Sequence, residues 1–219
     1  MRSADPEIER AANPPRPGGV SPPAAVLAPL IVISGPAGVG KTTVVERLLS
    51  RSTLPLRRAV TATTRRPRPG EEDGISYHFW TPEQFSQAIA TGQMLEWAQV
   101  HGKDFYGIPR AEVDRYRANG KGVILVIDVK GAASIRSLYQ RDHLSIFINA
   151  PSFADLEQRL RARGGDSGES IQNRLNTARE ELARAHEFDH TILNCDLEHA
   201  VHDLETLIRK CFPSTPTEV

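Results

Sequence analysis

Eight consecutive residues, Gly35-Pro36-Ala37-Gly38-Val39-Gly40-Lys41-Thr42, have the types and spacing of a loop built to wrap phosphate. Glycines at 35, 38 and 40 let the backbone bend with its N–H groups turned inward, where they can donate to a β-phosphate beside the positive end of the helix that follows. Lys41 is placed to reach the β- and γ-phosphates, and the Thr42 hydroxyl to hold Mg²⁺, with Thr43 continuing into the helix. The motif carries weight only in the right context. That context is present, because the apolar run Leu30-Ile31-Val32-Ile33 precedes it and a helical pattern, Thr43 to Leu49, follows.

The elements that must position this loop are legible along the chain. From Leu30 on, short apolar runs alternate with helical patterns: Leu30 to Ser34 then Thr42 to Arg51, Gly122 to Asp128 then Ala132 to Tyr139, Ser145 to Ala150 then Phe153 to Arg163. This β-α rhythm predicts an α/β fold with a parallel sheet covered by helices on both faces. Val123 to Ile127 is continuously apolar, as a strand buried on both sides must be. A helix is expected from about Glu169 through Ala185, a last strand over His190 to Asn194 and a last helix over Leu197 to Cys211. Residues 1–29 hold seven prolines and few large apolar side chains, the composition of a disordered tail without a targeting signal.

Residues 61–110 break the rhythm. Pro67, Pro69, Gly70 and Gly74 give turns, Ile75 to Phe79 alternates like a half-exposed strand, Pro82 to Thr91 reads as a helix and Met94 to Val100 as another strand. This is the pattern of a small inserted mixed-β subdomain, and ligands of open α/β sheets bind beyond the carboxyl ends of the strands, the side of the phosphate loop. Within it, Thr61 to Glu71 packs three arginines and three threonines into eleven residues stiffened by two prolines. Rigid guanidinium forks and hydroxyls suit a phosphate, although charge alone reads equally as a solvated basic loop.

The run Thr63-Thr64-Arg65-Arg66-Pro67-Arg68-Pro69-Gly70-Glu71-Glu72-Asp73-Gly74-Ile75-Ser76-Tyr77-His78-Phe79, then Leu95-Glu96-Trp97-Ala98 and Phe105-Tyr106-Gly107, resembles guanylate kinase, and the likeness extends from about Ile31 to Phe212. The resemblance implies a phosphate-loop NTPase-type fold and transfer of the γ-phosphoryl of ATP to GMP. It implies that Arg65, Arg68, Tyr77 and Tyr106 hold the GMP phosphate, with Thr61, Glu71 and Gly107 in the same acceptor motifs. Glu96 is implied to face guanine; a carboxylate accepts from guanine N1–H and N2–H₂ and meets no such donor pair on adenine. Asp128, at the end of a buried strand, resembles a second guanine contact, and reads equally as a holder of Mg²⁺-bound water. Arg159, Arg163 and Arg174 resemble arginines that clamp the transferring phosphoryl group around a lid at about 163–171, and Asn194 resembles an adenine contact.

Two departures from the family pattern stand out. Ile108 follows Tyr-Gly where a Ser or Thr donor is usual, so a hydrogen bond to the base is missing from that side chain. Val126-Ile127-Asp128-Val129-Lys130-Gly131 stands for D-I-D-x-Q-G, losing one acid and gaining Lys130. The rival readings are a non-catalytic guanylate-kinase-like interaction module and a kinase of another phosphorylated acceptor, such as AMP, dGMP or a sugar bisphosphate.

Composition narrows the partners. Lysine and arginine total 27 against 27 acidic residues, so net charge gives no reason to expect nucleic acid or anionic membrane. Cys195 and Cys211 form no disulfide framework, which fits a reducing, cytoplasmic setting. His199 and His202 with Cys195 are too few to ligate zinc. The expected partners are GMP and ATP, on a monomer or homodimer.

Overall fold

Five short strands, the three central ones largely apolar, form one parallel sheet in the computed structural model, which describes residues 27–100, 102–140, 142–162 and 168–212. In chain order they are β1 (Leu30–Ser34), β2 (Leu56–Arg58), β7 (Gly122–Val126), β8 (Leu144–Asn149) and β9 (His190–Leu193), and the spatial order is β2-β7-β1-β8-β9. Every residue of β1 is buried, as its central position between β7 and β8 demands. Ile31 and Ile33 point into a core shared with helices α1 (Lys41–Arg51), α5 (Phe153–Ala162), α6 (Gly168–Ala183) and α7 (Leu197–Arg209). Helix α4 (Val129–Tyr139) lies against β1 as well. An isolated helix of eleven residues is marginal in water. What fixes α1 is therefore burial of Val44, Val45 and Leu48, each fully enclosed and contributing about 1.5–3 kcal/mol.

A second compact unit is formed by Ala59–Gly120, the first comprising Ala28–Arg58 and the described residues from Lys121 on. Its sheet has the order β4-β3-β6-β5, from β3 (Ala62–Thr63), β4 (His78–Phe79), β5 (Met94–Val100) and β6 (Asp104–Pro109). The β3–β4 pair is parallel, while β3–β6 and β5–β6 are antiparallel. One face packs against α2 (Pro82–Ala90), where Ala62, Phe85, Ala88 and Met94 form a small core ringed by Trp80, Ile89, Trp97 and Phe105. Helix α2 starts at a complete capping box, with the Thr81 and Gln84 side chains each meeting the other's backbone, and Pro82 occupies the first turn.

Three features depart from the sequence reading. The strand expected over Ile75–Phe79 is confined to His78–Phe79, because Gly74 adopts a positive φ of 74° and its N–H donates to the Tyr77 carbonyl, making 75–77 a turn. Strand β6 forms where the sequence shows a binding motif, and β2 and helix α3 (Ala111–Ala118) form where the sequence reading assigns no element. The unit also runs past residue 110, since Glu112 on α3 accepts from the Val60 N–H at 3.1 Å and meets His78 Nε2 at 3.1 Å. The proline-rich segment up to residue 26 lies outside the described residues.

Candidate active site

In the parallel-sheet unit the loop 35–40 leaves the carboxyl end of β1, where the strand order changes direction. Its glycines are there for close approach as well as for φ. A Cβ on Gly35 would lie 2.1 Å from the Ile148 carbonyl oxygen, one on Gly38 2.7 Å from Leu160, and one on Gly40 2.7 Å from Asn194 Nδ2. Gly40 enters α1 in the left-handed region with φ 94°, and the first turn has no side-chain cap and no acidic residue. The N–H groups at the positive end of the helix are thus left for an anion. Lys41 Nζ donates to the Gly35 carbonyl and, at 3.0 Å, to the Pro36 carbonyl, and Thr42 and Thr43 are exposed.

The back of the loop is held by side chains from distant elements. Asn194, buried after β9, donates from Nδ2 to the Val39 carbonyl at 2.8 Å. Arg159 on α5 donates to the Asn194 carbonyl at 2.9 Å and to the Val39 carbonyl at 3.5 Å. Asp128 caps α4, its Oδ1 accepting from the Gly131 N–H at 2.7 Å. Arg174 is half-buried on α6, and Arg163 lies outside the described residues together with 164–167 of the expected lid.

Sequence reasoning missed Glu181. It is only 8% exposed, accepts from the Ala37 N–H, and burial pushes its carboxyl up to about 7 despite the opposing pull of Lys41. The signal was available: Ile171, Leu175 and Ala178 define the buried stripe of α6, and the next step of that period falls on an acid.

In the other unit, residues facing each other across the strands share a side of the sheet. Thr63 stands opposite Tyr106, Tyr106 opposite Ala98, and Ile108 opposite Glu96, so Tyr106 and Glu96 occupy the face turned away from the small core. Arg65 is organised before any ligand arrives. Its Nη2 donates to Glu71 Oε1 at 2.8 Å, its Nε to the Tyr106 hydroxyl at 3.2 Å and its Nη1 to the Arg66 carbonyl at 2.7 Å. The guanidinium also lies 5.3 Å from the Tyr77 ring centroid and 5.8 Å from that of Phe79.

Glu71 is the hinge of this cluster. Its second oxygen accepts from the Arg68 N–H at 2.7 Å, so one carboxylate fixes a guanidinium and the backbone of the next arginine. The hydrogen bond from Arg65, then that from the Arg68 N–H, hold Glu71 below the usual carboxylate range, while Glu71 raises Arg65 further. Arg68 itself is exposed and Thr61 half-buried. Gly107 has a packing reason, because a Cβ there would lie 2.5 Å from the Glu96 carbonyl oxygen and 2.6 Å from Met94. Ile108 is 1% exposed, so its apolar side chain is fully absorbed by packing.

Two anion-directed sites on one chain, one of main-chain amides with a lysine and one of arginine, tyrosine and carboxylate, narrow the field to few families. A family model described as Guanylate kinase matches residues 28–211. The chain belongs to the guanylate kinase family. The guanylate kinase of Thermosynechococcus vestitus is 49% identical over 180 residues, spanning 82% of this chain and 92% of that protein. That of Methylobacillus flagellatus is 46% identical over 180 residues, spanning 82% and 88%. Among solved structures, the guanylate kinase from Anaplasma phagocytophilum aligns with a TM-score of 0.68 at 28% identity, over 86% of this chain and 89% of that one. The guanylate kinase fold accounts for the sheet and the separate mixed sheet alike. Among the described residues no helix is long and apolar enough to cross a membrane.

Proposed function

We propose that this chain transfers the γ-phosphoryl group of ATP to GMP, giving ADP and GDP, with ATP on the phosphate loop and GMP on the mixed-sheet unit. The family assignment makes the activity that of an ATP:GMP phosphotransferase. The observation that carries the residue-level reading is the pre-assembled Arg65–Glu71–Tyr106 cluster, standing on the same sheet face as Glu96. An interaction module that only recognises phosphate has no use for an intact phosphate loop with its lysine in place, and here Lys41 stands at the loop, donating to the Gly35 and Pro36 carbonyls.

A phosphate oxygen of GMP is anionic at neutral pH, so attack on the γ-phosphorus needs no catalytic base. The residues have two tasks, alignment and neutralisation of charge. Arg65 and Arg68, with the hydroxyls of Tyr77 and Tyr106, hold the acceptor phosphate, and Glu96 accepts from the guanine edge, with Thr61 and Gly107 completing the pocket wall. Lys41 exchanges the Gly35 and Pro36 carbonyls for β- and γ-phosphate oxygens. Arg159, Arg163 and Arg174 offset charge that spreads over the transferring group. Arg159 does so from the loop's own bracket, and Asn194 serves the donor side chiefly by fixing Val39, with the adenine ring within its remit.

Mg²⁺ fits the donor side. The Thr42 hydroxyl is exposed beside Lys41 and no protein carboxylate caps that turn, so phosphate and water oxygens make up the rest of the hard-oxygen set this ion prefers. When bound, the ion would neutralise phosphate charge, held by the Thr42 hydroxyl, with Asp128 as a candidate holder of its water. GMP and ATP are the partners this reading requires, and a cytoplasmic setting suits both the substrates and two exposed free thiols, Cys195 and Cys211.

The test is ADP formation from MgATP over an acceptor panel of GMP, dGMP, AMP and a sugar bisphosphate. Turnover with GMP exceeding the adenine acceptor by at least about 10²-fold is expected, because adenine leaves the Glu96 carboxylate without donors. No turnover at high protein concentration, or preference for a non-guanine acceptor, sinks the reading.

A further inference from the structure

A carboxylate buried at a position where an apolar side chain would pack without cost calls for a compensating role. Glu181 is such a group. It continues the buried stripe Ile171, Leu175, Ala178 of α6, it is 8% exposed, and its Oε2 has no hydrogen-bond partner. Among the described residues, it accepts from the Ala37 N–H, inside the phosphate loop. Lys41 is its cationic neighbour, with Asp128 and Glu180 opposing from the same surroundings.

The planarity of the peptide bond gives this contact its meaning. In a trans peptide the carbonyl and the next N–H point in opposite directions. The unit joining Pro36 to Ala37 is therefore gripped at both ends: Lys41 Nζ donates to the Pro36 carbonyl at 3.0 Å, and Glu181 accepts from the Ala37 N–H. Lys41 must give up its end when it turns to phosphate. The grip of Glu181 is independent of that move, since Ala37 lies on the entering limb of the loop, ahead of Gly38 and Gly40.

We infer that Glu181 is a positioning residue for the ATP loop: it keeps the Pro36–Ala37 peptide from turning over while Lys41 travels from loop carbonyl to nucleotide phosphate. Either protonation state of the carboxyl retains an oxygen able to accept from Ala37, so reach matters more than charge. Helix α6 also carries Arg174, two turns before Glu181, so one helix bears a proposed phosphate clamp and the loop's anchor on the same side.

The inference rests on the loop being the ATP site, and the experiment separates the two. The measurements are the MgATP dissociation constant by calorimetry without GMP, and the KM of each substrate in a coupled ADP assay, on the full chain and on Glu181→Gln and Glu181→Asp. Gln keeps an oxygen at the same reach and removes the charge; Asp keeps the charge and draws it back by one methylene. Glu181→Gln is expected to bind MgATP within about three-fold of wild type, and Glu181→Asp about ten-fold more weakly, with the KM for GMP changed less than about two-fold in either. A Glu181→Asp protein that binds MgATP as tightly as wild type, or that loses GMP by the same factor, overturns the inference. So does a ten-fold loss in Glu181→Gln, which decides the matter even if the Asp variant does not fold. Wild type that binds MgATP with the variants ranked as stated, yet leaves GMP unphosphorylated, removes the acceptor assignment and upholds the role of Glu181. Wild type with no affinity for MgATP removes both.

Discussion

The two proposed anion sites of this chain are built from different materials. In the parallel-sheet unit the phosphate loop offers main-chain amides, and the side chains around it, Asn194, Arg159 and Glu181, grip its backbone from behind. In the mixed-sheet unit the backbone is ordinary ladder and turn, and the proposed recognition falls to side chains, Arg65 held by Glu71 and Tyr106. The contrast teaches where specificity can reside. Amides see only phosphate, which every nucleotide shares, whereas a side-chain site distinguishes one base from another and changes by single substitutions.

The sharpest way to break the comparison is Lys41→Ala. The ammonium's chief proposed task is to bind phosphate, so kcat should fall on the order of 10³-fold while the melting temperature changes little. Unchanged turnover in the ADP assay would exclude the loop from the chemistry. Next comes Arg65→Ala, expected to lower kcat/KM for GMP by roughly 10²-fold with the KM for ATP little changed. Equal damage to both substrates would mean that the arginine supports the fold and not the acceptor.

Ile108→Thr sharpens the same division on a smaller scale. A hydroxyl opposite Glu96 restores a donor beside the base and should lower the KM for GMP by up to about ten-fold. It should also cost about 1–2 kcal/mol of stability, because the isoleucine is fully enclosed. A KM that stays put or rises, read in steady-state kinetics with chemical denaturation alongside, would show the pocket already satisfied.

The smallest effect concerns pH. Burial raises Glu181 to about 7 in the folded chain, against 4.5 for the free group. Between those values the folded state binds the extra proton, so this group's contribution to stability is fully present below about pH 4.5 and is lost as pH rises to about 7. Glu181→Gln should remove that loss and raise the melting temperature at pH 8 by about 2–4 °C, converging with wild type near pH 5. Parallel melting curves across that range would contradict the burial argument.

How much of this was legible in the sequence depended on which force fixed each part. Strands β1, β7 and β8 announce themselves, since Leu30 to Ile33, Val123 to Leu125 and Ser145 to Ile148 are buried in a sheet that admits mostly apolar side chains. Strand β2 does not, because Leu56-Arg57-Arg58 is an edge pairing only with β7 and its arginines carry no pattern. Strand β6 was hidden by its chemistry: Phe105-Tyr106-Gly107 reads as a binding motif before it reads as a strand. The loop was read residue by residue, yet its supports came from far along the chain. Glu71 was read as a substrate ligand, and its bonds to Arg65 and to the Arg68 N–H give it a bracing task as well. No spacing rule ties Val39 to Asn194 or Ala37 to Glu181; only the folded packing of α5, α6 and the segment after β9 does.

The mixed sheet has its aromatic core on one side, a handful of residues around Phe85 and Met94, while its opposite side sets Tyr106 and Glu96 among the enclosed Thr63, Ala98 and Ile108. So thin a layer makes this the region whose amide protons should trade with solvent soonest, at free energies well under that of global unfolding. If the proposed acceptor site is right, nucleoside monophosphate adds cover over Tyr106 and Glu96 and slows that trade in proportion to occupancy.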